Sequence, residues 1–327
     1  MPLPLLFCFH GFTSSADVIM AYSRFNAIAE ANDFIVVYPQ GTLFSGIASH
    51  WNVGGFTDGS TVDDVGFVDA LLTDLLDTYH IDSARVYSTG MSNGGFMSFL
   101  LACQLSDKIA AVASVTGSMT PQTMDECDAQ RPISVLQIHG DADAVVPYSG
   151  ESFSRPIPEV LNFWIDHNAC STEGVVTDVP DRNTTDGTTV SQTVFEDGSQ
   201  CTSVHHFTVQ GGDHSWPGAW GNQDINASQE VWNFVSQFDL NGRINCLTHT
   251  ENISSSAEFN IFPNPVSDFI YLENNGEVSG ADGYSIFDWR GRRVKQGQAR
   301  VKIDVSDLSE GLYYMKMGDQ IRKFLKS

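Results

Sequence analysis

The chain has 327 residues, enough for one large domain and a smaller one. Hydrophobic residues make up 42% and charged residues 17%, which supplies a buried core and excludes wholesale disorder. The 17 basic and 40 acidic side chains leave a net charge of −23, a surface that repels polyphosphate and anionic lipid and so argues against nucleic-acid and membrane-surface partners.

The apolar opening, residues 1–9, lacks a basic leader and a small-residue cleavage site and runs into His10-Gly11, so it reads as a strand and not a signal peptide. Further strands are expected at Phe34–Tyr38, Arg85–Thr89, Ala110–Val115, Ser134–Ile138 and His206–Val209, after a first one at Leu5–Phe9. Amphipathic stretches between them predict helices at Asp17–Ala31, Asp63–Tyr79, Gly94–Leu105, Pro158–His167 and Ala227–Phe238. In the second of these, Val65, Val68, Leu72 and Leu76 recur at helical spacing while Asp69, Asp74 and Asp77 form a solvated face. Alternation of this kind predicts an α/β fold, a doubly wound, mostly parallel sheet over residues 1–245. No run of 18 or more apolar residues is present to span a bilayer.

Residues 1–257 hold 30 acids and 7 bases, whereas 258–327 hold 10 of each. This shift coincides with the Ser-rich stretch 253–257, so 246–257 is expected to be a linker. Beyond it lie short strand-like runs at Ile270–Leu272, Tyr284–Phe287, Val301–Val305, Leu312–Met317 and Ile321–Leu325. Asn275-Gly276, Arg290-Gly291 and Glu310-Gly311 punctuate them as turns. A small all-β sandwich is predicted for 258–327.

Gly90-Met91-Ser92-Asn93-Gly94 matches G-x-S-x-G, with a strand-like run before it and a helical one after, the context a nucleophile elbow requires. A serine hydroxyl attacks poorly until a base takes its proton and an acid orients that base. Asp143 follows the strand ending at Ile138, and His214 lies on the glycine-rich loop after the last strand, giving the order Ser92, Asp143, His214 of α/β-hydrolases. Asp141 is the rival acid, and Asp213 reads as a loop cap. His205 and His206 read as strand histidines, and His10 and His139, each before a glycine at a strand end, as braces of their loops. Two preorganised amides must receive the oxyanion, and those of Phe12 and Asn93 are the candidates. Trp51, Trp216 and Trp220, on loops, are candidates either for stacking on substrate or for packing.

The six cysteines form no C-x-x-C pair and no cluster with histidine at zinc spacing, so no metal is expected. Cys170 and Cys201 bracket a polar insertion, Ser171–Gln200, with little core of its own; a disulfide there would contribute roughly 3 to 4 kcal/mol by the chain-entropy model. Cys103 with Cys127 is the second expected bridge.

These landmarks, with Leu3–Phe12, Tyr38-Pro39-Gln40-Gly41, Trp51, Asp63–Phe67, Arg85-Val86-Tyr87, His139–Tyr148 and Gly211–Gly218, make the first unit similar to the secreted polyhydroxybutyrate depolymerase and feruloyl esterase family, related to carbohydrate esterase family one. The resemblance implies cofactor-free hydrolysis of carboxylic esters of plant-wall phenolics, acetylated sugars or hydroxyalkanoates. Family members often carry cysteine where Phe12 stands, and they begin with further strands and a secretion signal, so the chain is expected to be truncated at its start. Residues 258–327 resemble the C-terminal sorting domain of the Bacteroidota type IX secretion pathway, through Phe262-Pro263-Asn264-Pro265, Tyr284–Asp288 with Gly291, Ile303–Leu308, Gly311-Leu312-Tyr313-Tyr314, Lys323 and Lys326. That resemblance implies a secreted or cell-surface protein, partnered by the secretion machinery, in a compartment where disulfides persist. The expected activity is a serine esterase on feruloyl or acetyl esters of plant polysaccharide. A polyester depolymerase and a non-catalytic polymer-binding or adhesion protein are the alternatives.

Overall fold

The computed structural model describes residues 2–246, 259–274, 283–288, 292–298, 302–317 and 320–327. The chain divides into two compact units, Met1–Thr248 and His249–Ser327. Most of the expected linker, the turns at 275–276 and 290–291, and Val301 lie outside the described residues.

The first unit begins with β1 (Leu3–Phe9), α1 (Ala16–Ser23), α2 (Phe25–Asn32) and β2 (Ile35–Val37). A short hairpin, β3 (Leu43–Phe44) with β4 (Ala48–Ser49), precedes α3 (Asp64–Thr78), β5 (Ile81–Met91), α4 (Asn93–Gln104) and β6 (Ala111–Val115). Then come α5 (Pro121–Asp125), β7 (Ser134–Gly140), α6 (Ile157–Asn168), β8 (Val175–Val179), β9 (Thr189–Phe195) and β10 (Val204–Gln210). The unit closes with α7 (Ala227–Val235) and the hairpin β11 (Phe238–Asp239) with β12 (Gly242–Arg243).

The main sheet runs β2-β1-β5-β6-β7-β10-β9-β8 and is parallel as far as β10, after which β9 pairs antiparallel with β10 and β8 antiparallel with β9. Strand β1 shows why its sequence is apolar throughout: Leu5, Phe7 and Phe9 enter the core beneath α3, α4 and α6, while Leu6 and Cys8 enter the one beneath α1, α2 and α7. Helix α4 is buried from Asn93 to Cys103. Helix α3 turns Val68 and Leu72 inward and is capped by Asp63, whose Oδ1 accepts from Gly66 N at 2.8 Å.

Two elements differ from the sequence reading. The stretch expected as one helix over 17–31 is two, because Arg24 adopts a left-handed conformation (φ 54°) that ends α1 and starts α2. The insertion at 171–200 contains β8 and β9, which extend the sheet outward; β8 leaves Val175 and Val176 exposed, so its residues lack the one-sided apolar pattern of a core strand.

In the second unit, β13 (Phe259–Phe262), β14 (Phe269–Asn274) and β17 (Lys302–Asp304) form one antiparallel sheet. Strands β15 (Gly283–Asp288), β16 (Arg293–Gln298), β18 (Gly311–Met317) and β19 (Gln320–Lys326) form another. Val266, Ile270, Ile286, Ile303, Met315 and Phe324 make their common core, the distinct C-terminal β domain expected from the change in texture.

Candidate active site

Ser92 stands between the end of β5 and the start of α4 with φ 53° and ψ −121°, a backbone conformation a non-glycine residue holds only when its surroundings enforce it. The flanking glycines allow the turn. A Cβ on Gly90 would fall 2.5 Å from Gly94 C, and one on Gly94 would fall 2.1 Å from Phe9 O. Strand β1 therefore approaches the elbow more closely than any side chain permits.

Asp143 and His214 come from loops after β7 and β10, at the same carboxyl-terminal edge of the sheet as Ser92. His214 Nδ1 donates to Asp143 Oδ2 at 2.7 Å. The other carboxylate oxygen, Oδ1, accepts from the amides of Val145 (2.8 Å) and Val146 (2.9 Å). Burial on its own would raise the Asp143 pKa, but the hydrogen bonds and charge of His214, the Val146 amide and His139 outweigh it and hold the carboxyl below its ordinary value. With the Nδ1 proton committed to Asp143, His214 Nε2 is left as an acceptor, and no described group donates to it.

His139 lies beside this pair. Its Nδ1 accepts from Gln137 Nε2 (2.8 Å) and its Nε2 donates to Val146 O (2.8 Å), while Nε2 also stands 3.4 Å from Asp143 Oδ2. Burial pushes its pKa down to about 4, so it braces the acid loop as a neutral ring. His10 does the same for the loop after β1: Nε2 accepts from Gly41 N (3.0 Å) and Nδ1 donates to Gly11 O (2.7 Å). Asp141 is exposed, and its Oδ1 accepts from Gly211 N at 2.6 Å, which ties the acid loop to the histidine loop. His205 and His206 are set in β10, with pKa values lowered by burial to about 4 and about 3.

The amides of Phe12 and Asn93 have no hydrogen-bond acceptor among the described residues. Phe12 is 36% exposed, and its ring meets Phe44 (6.5 Å between centroids) and Phe56 (6.1 Å) edge-on. On the histidine side, the Tyr22 hydroxyl donates to Met91 Sδ at 3.3 Å and its ring packs on Trp216 and Trp220. The loop bearing His214 is thereby anchored to the residue preceding Ser92. Tyr22 and Gln137 escaped the sequence reading; a lone amide in the apolar strand Ser134–Gly140 was the available signal for Gln137.

Two tryptophans do not serve as stacking surfaces. Trp51 is fully buried, and its Nε1 donates to His10 O (2.9 Å); Trp216 is 1% exposed and donates to Ser228 Oγ (3.0 Å). Each indole is large enough to fill a core position and carries one donor that finds a partner there. Trp220, 38% exposed, is the one of the three with a face open to solvent.

The cysteine pairing is also corrected. Cys103 bonds Cys127, but Cys201 bonds Cys246 and not Cys170. Positive φ at Gln200 and Cys201 folds the Ser199–Cys201 turn against Gly242, beside the hairpin that leads to Cys246. Cys170 remains a buried thiol facing Thr202 O, its pKa pushed up to about 11 by burial. Among the described residues no group of three His, Cys, Asp or Glu could hold a metal ion, and no helix is long and apolar enough to cross a membrane.

A serine raised on a strained turn between a central parallel strand and a buried helix is the defining feature of the α/β-hydrolases, and the first unit is one of them. The family described as Esterase PHB depolymerase matches residues 1–148, and the Secretion system C-terminal sorting domain matches 260–327. A bifunctional acetylxylan esterase/xylanase of Neocallimastix patriciarum is 28% identical over 242 residues, covering 74% of this chain and 32% of the relative. Feruloyl esterase B of Piromyces equi is 29% identical over 248 residues, covering 72% of this chain and 42% of the relative. The chain thus spans 32% of the length of the first of these relatives and 42% of the second. An acetyl xylan esterase from Aspergillus awamori shares the fold, with a TM-score of 0.53 at 15% identity over 72% of this chain and 89% of that one. The first unit has the α/β-hydrolase fold and is related to the feruloyl, acetyl xylan and polyhydroxybutyrate-depolymerase esterases. The second is a type IX sorting domain, which marks a secreted or cell-surface protein.

Proposed function

We propose that the protein is a serine esterase that hydrolyses carboxylic esters, feruloyl or acetyl groups on plant polysaccharide, through an acyl-enzyme on Ser92. The observation that carries this reading is the Asp143–His214 pair at 2.7 Å, with the free Nε2 of His214 at the sheet edge that also bears the strained Ser92. In this mechanism Ser92 Oγ attacks the ester carbonyl carbon as His214 Nε2 takes its proton. The amides of Phe12 and Asn93 receive the oxyanion, and the proton passes to the departing alcohol as the C–O bond breaks. Water, deprotonated by His214, then attacks the acyl carbon and releases the acid and the free Ser92 hydroxyl. No cofactor enters any of these steps. Asp143 holds the ring in the tautomer that leaves Nε2 free and stabilises the imidazolium. The exposed Phe12 ring, backed by Phe44 and Phe56, supports an aromatic acyl group, and Trp220 is the remaining candidate for contact with the sugar. The domain assignment belongs to the same proposal: residues 258–327 are an address read by the secretion machinery and take no part in hydrolysis.

A fluorophosphonate probe is expected to label the wild-type protein and not Ser92→Ala; an unlabelled wild type would favour the polymer-binding alternative. Methyl ferulate, acetylated xylan and hydroxybutyrate oligomers then rank the esters, and a preference for the oligomers would move the assignment to a polyester depolymerase.

A further inference from the structure

Two amides make an oxyanion hole only if their separation is fixed, because each must meet the same oxygen at hydrogen-bonding distance. Phe12 and Asn93 come from segments that are distant in sequence. The ladder between β1 and β5 ends with Phe9 paired to Gly90, three residues before each donor, so sheet hydrogen bonds do not set the spacing.

Trp51 bridges the gap. Its indole Nε1 donates to His10 O at 2.9 Å, on the segment that carries the Phe12 amide. Its backbone N–H donates to Asn93 Oδ1 (2.8 Å), and its backbone carbonyl accepts from Asn93 Nδ2 (3.0 Å). The ring is wedged edge-on against Phe9, centroids 5.0 Å apart, and tilted on His10 at the same separation. Trp51 and Asn93 are both fully buried, so these three bonds are not exchanged with water. An amide side chain is the group that completes such a link, since it offers one donor and one acceptor to the N–H and C=O of a single residue.

We propose that Trp51, through its indole N–H and its two-bond link to the Asn93 side chain, is a positioning residue that fixes the spacing of the Phe12 and Asn93 amides. The proposal rests on the serine-esterase reading above. It gives the buried indole a part in the chemistry without contact to substrate.

The test deletes the indole N–H in two ways: Trp51→Phe, and replacement of the Trp51 indole by benzothiophene through incorporation of benzothienylalanine, which keeps ring size and removes the donor. Steady-state kinetics on 4-nitrophenyl acetate are measured with inhibition by a trifluoromethyl ketone, whose adduct with a catalytic serine carries the oxyanion. The expected result is a fall in kcat of about 10- to 100-fold, smaller than the roughly 10²- to 10³-fold loss when an oxyanion donor is removed outright, because the donors remain and only their spacing loosens. KM should stay within about twofold, and ketone affinity should weaken by the same factor as kcat. If the benzothiophene protein is folded by circular dichroism and keeps kcat and ketone affinity, or loses KM alone, the assignment of Trp51 is overturned. A wild type that fluorophosphonate does not label would instead overturn the esterase reading itself, so the two failures are distinct.

Discussion

Replacing Asp143 by asparagine tests the site most sharply, because the geometry allows the amide only two orientations. With Oδ1 kept against the amides of Val145 and Val146, the new NH₂ faces His214 Nδ1, now 2.7 Å from Oδ2. Two donors cannot share that contact, so Nδ1 must become the acceptor and the ring proton must move to Nε2, which then cannot accept from Ser92. The flipped orientation satisfies His214 but sets the NH₂ against two backbone N–H groups, a loss of about 1 to 3 kcal/mol at the buried Val146 amide and less at the exposed Val145. The first orientation keeps two hydrogen bonds in place of one and is favoured. Inversion of the tautomer costs about 10⁴ in kcat, or about 5 kcal/mol of transition-state stabilisation. The assay is hydrolysis of 4-nitrophenyl acetate and methyl ferulate by Asp143→Asn and Asp141→Asn, with thermal unfolding as the control for folding. Asp141→Asn should stay within about tenfold of wild type, since the Asp141 carboxylate only ties down Gly211. Wild-type turnover in Asp143→Asn together with loss in Asp141→Asn would refute the reasoning and move the acid to Asp141.

Acid should destabilise the first unit well above the range where carboxylates titrate. His139 and His206 have folded pKa values lowered to about 4 and about 3, so below their unfolded value, near 6.5, the unfolded chain takes up protons that the folded one refuses. Stability is then full above about pH 6.5 and falls by about 1.4 kcal/mol per histidine per pH unit down to about pH 4; a urea midpoint that rises between pH 7 and pH 5 would contradict this. Denatured, unreduced protein should expose two thiols, Cys8 and Cys170, and Cys246→Ser should add a third and cost up to about 4 kcal/mol through the released loop. Six thiols on titration would rule out both bridges. Removal of the tail should leave kcat, KM and activity on particulate xylan unchanged, provided the cut falls after Cys246, since a chain ending at Asn245 lacks one half of a disulfide; retained turnover on soluble esters with lost binding to the particles would make the second unit a binding sandwich.

The parts of this fold that were legible in the sequence are those where burial on both faces leaves a chemical trace. β1 and β6 are apolar runs because helices cover the sheet on either side, and the elbow showed itself because the close approach of its own backbone and of Phe9 leaves only glycine at fixed positions around the serine. His10 and His139 could be recognised as braces from their place before glycines at strand ends. What escaped depends on partners far off in the chain. β8 and β9 carry no one-sided pattern since β8 faces solvent, and nothing local in the sequence tells a buried indole from an exposed one, so Trp51 and Trp220 looked alike. The partner of Cys201 was missed because Cys246 fell within what reads as linker, while Cys170 lay across an insertion that seemed to need a staple.

The Cys201–Cys246 bridge also decides how the first unit bears load. Without it, tension applied to the chain beyond residue 246 would fall first on the β11–β12 hairpin, whose two paired positions would unzip one after the other. With it, the force bypasses that hairpin, enters at Cys201 and runs into β10, which is gripped by β7 along one side and β9 along the other. Cys201 lies in the segment that joins β9 to β10, so both strands, and through β10 the ladder to β7, share the load. A handle attached at the tail can therefore tug on this unit without peeling it open from its end.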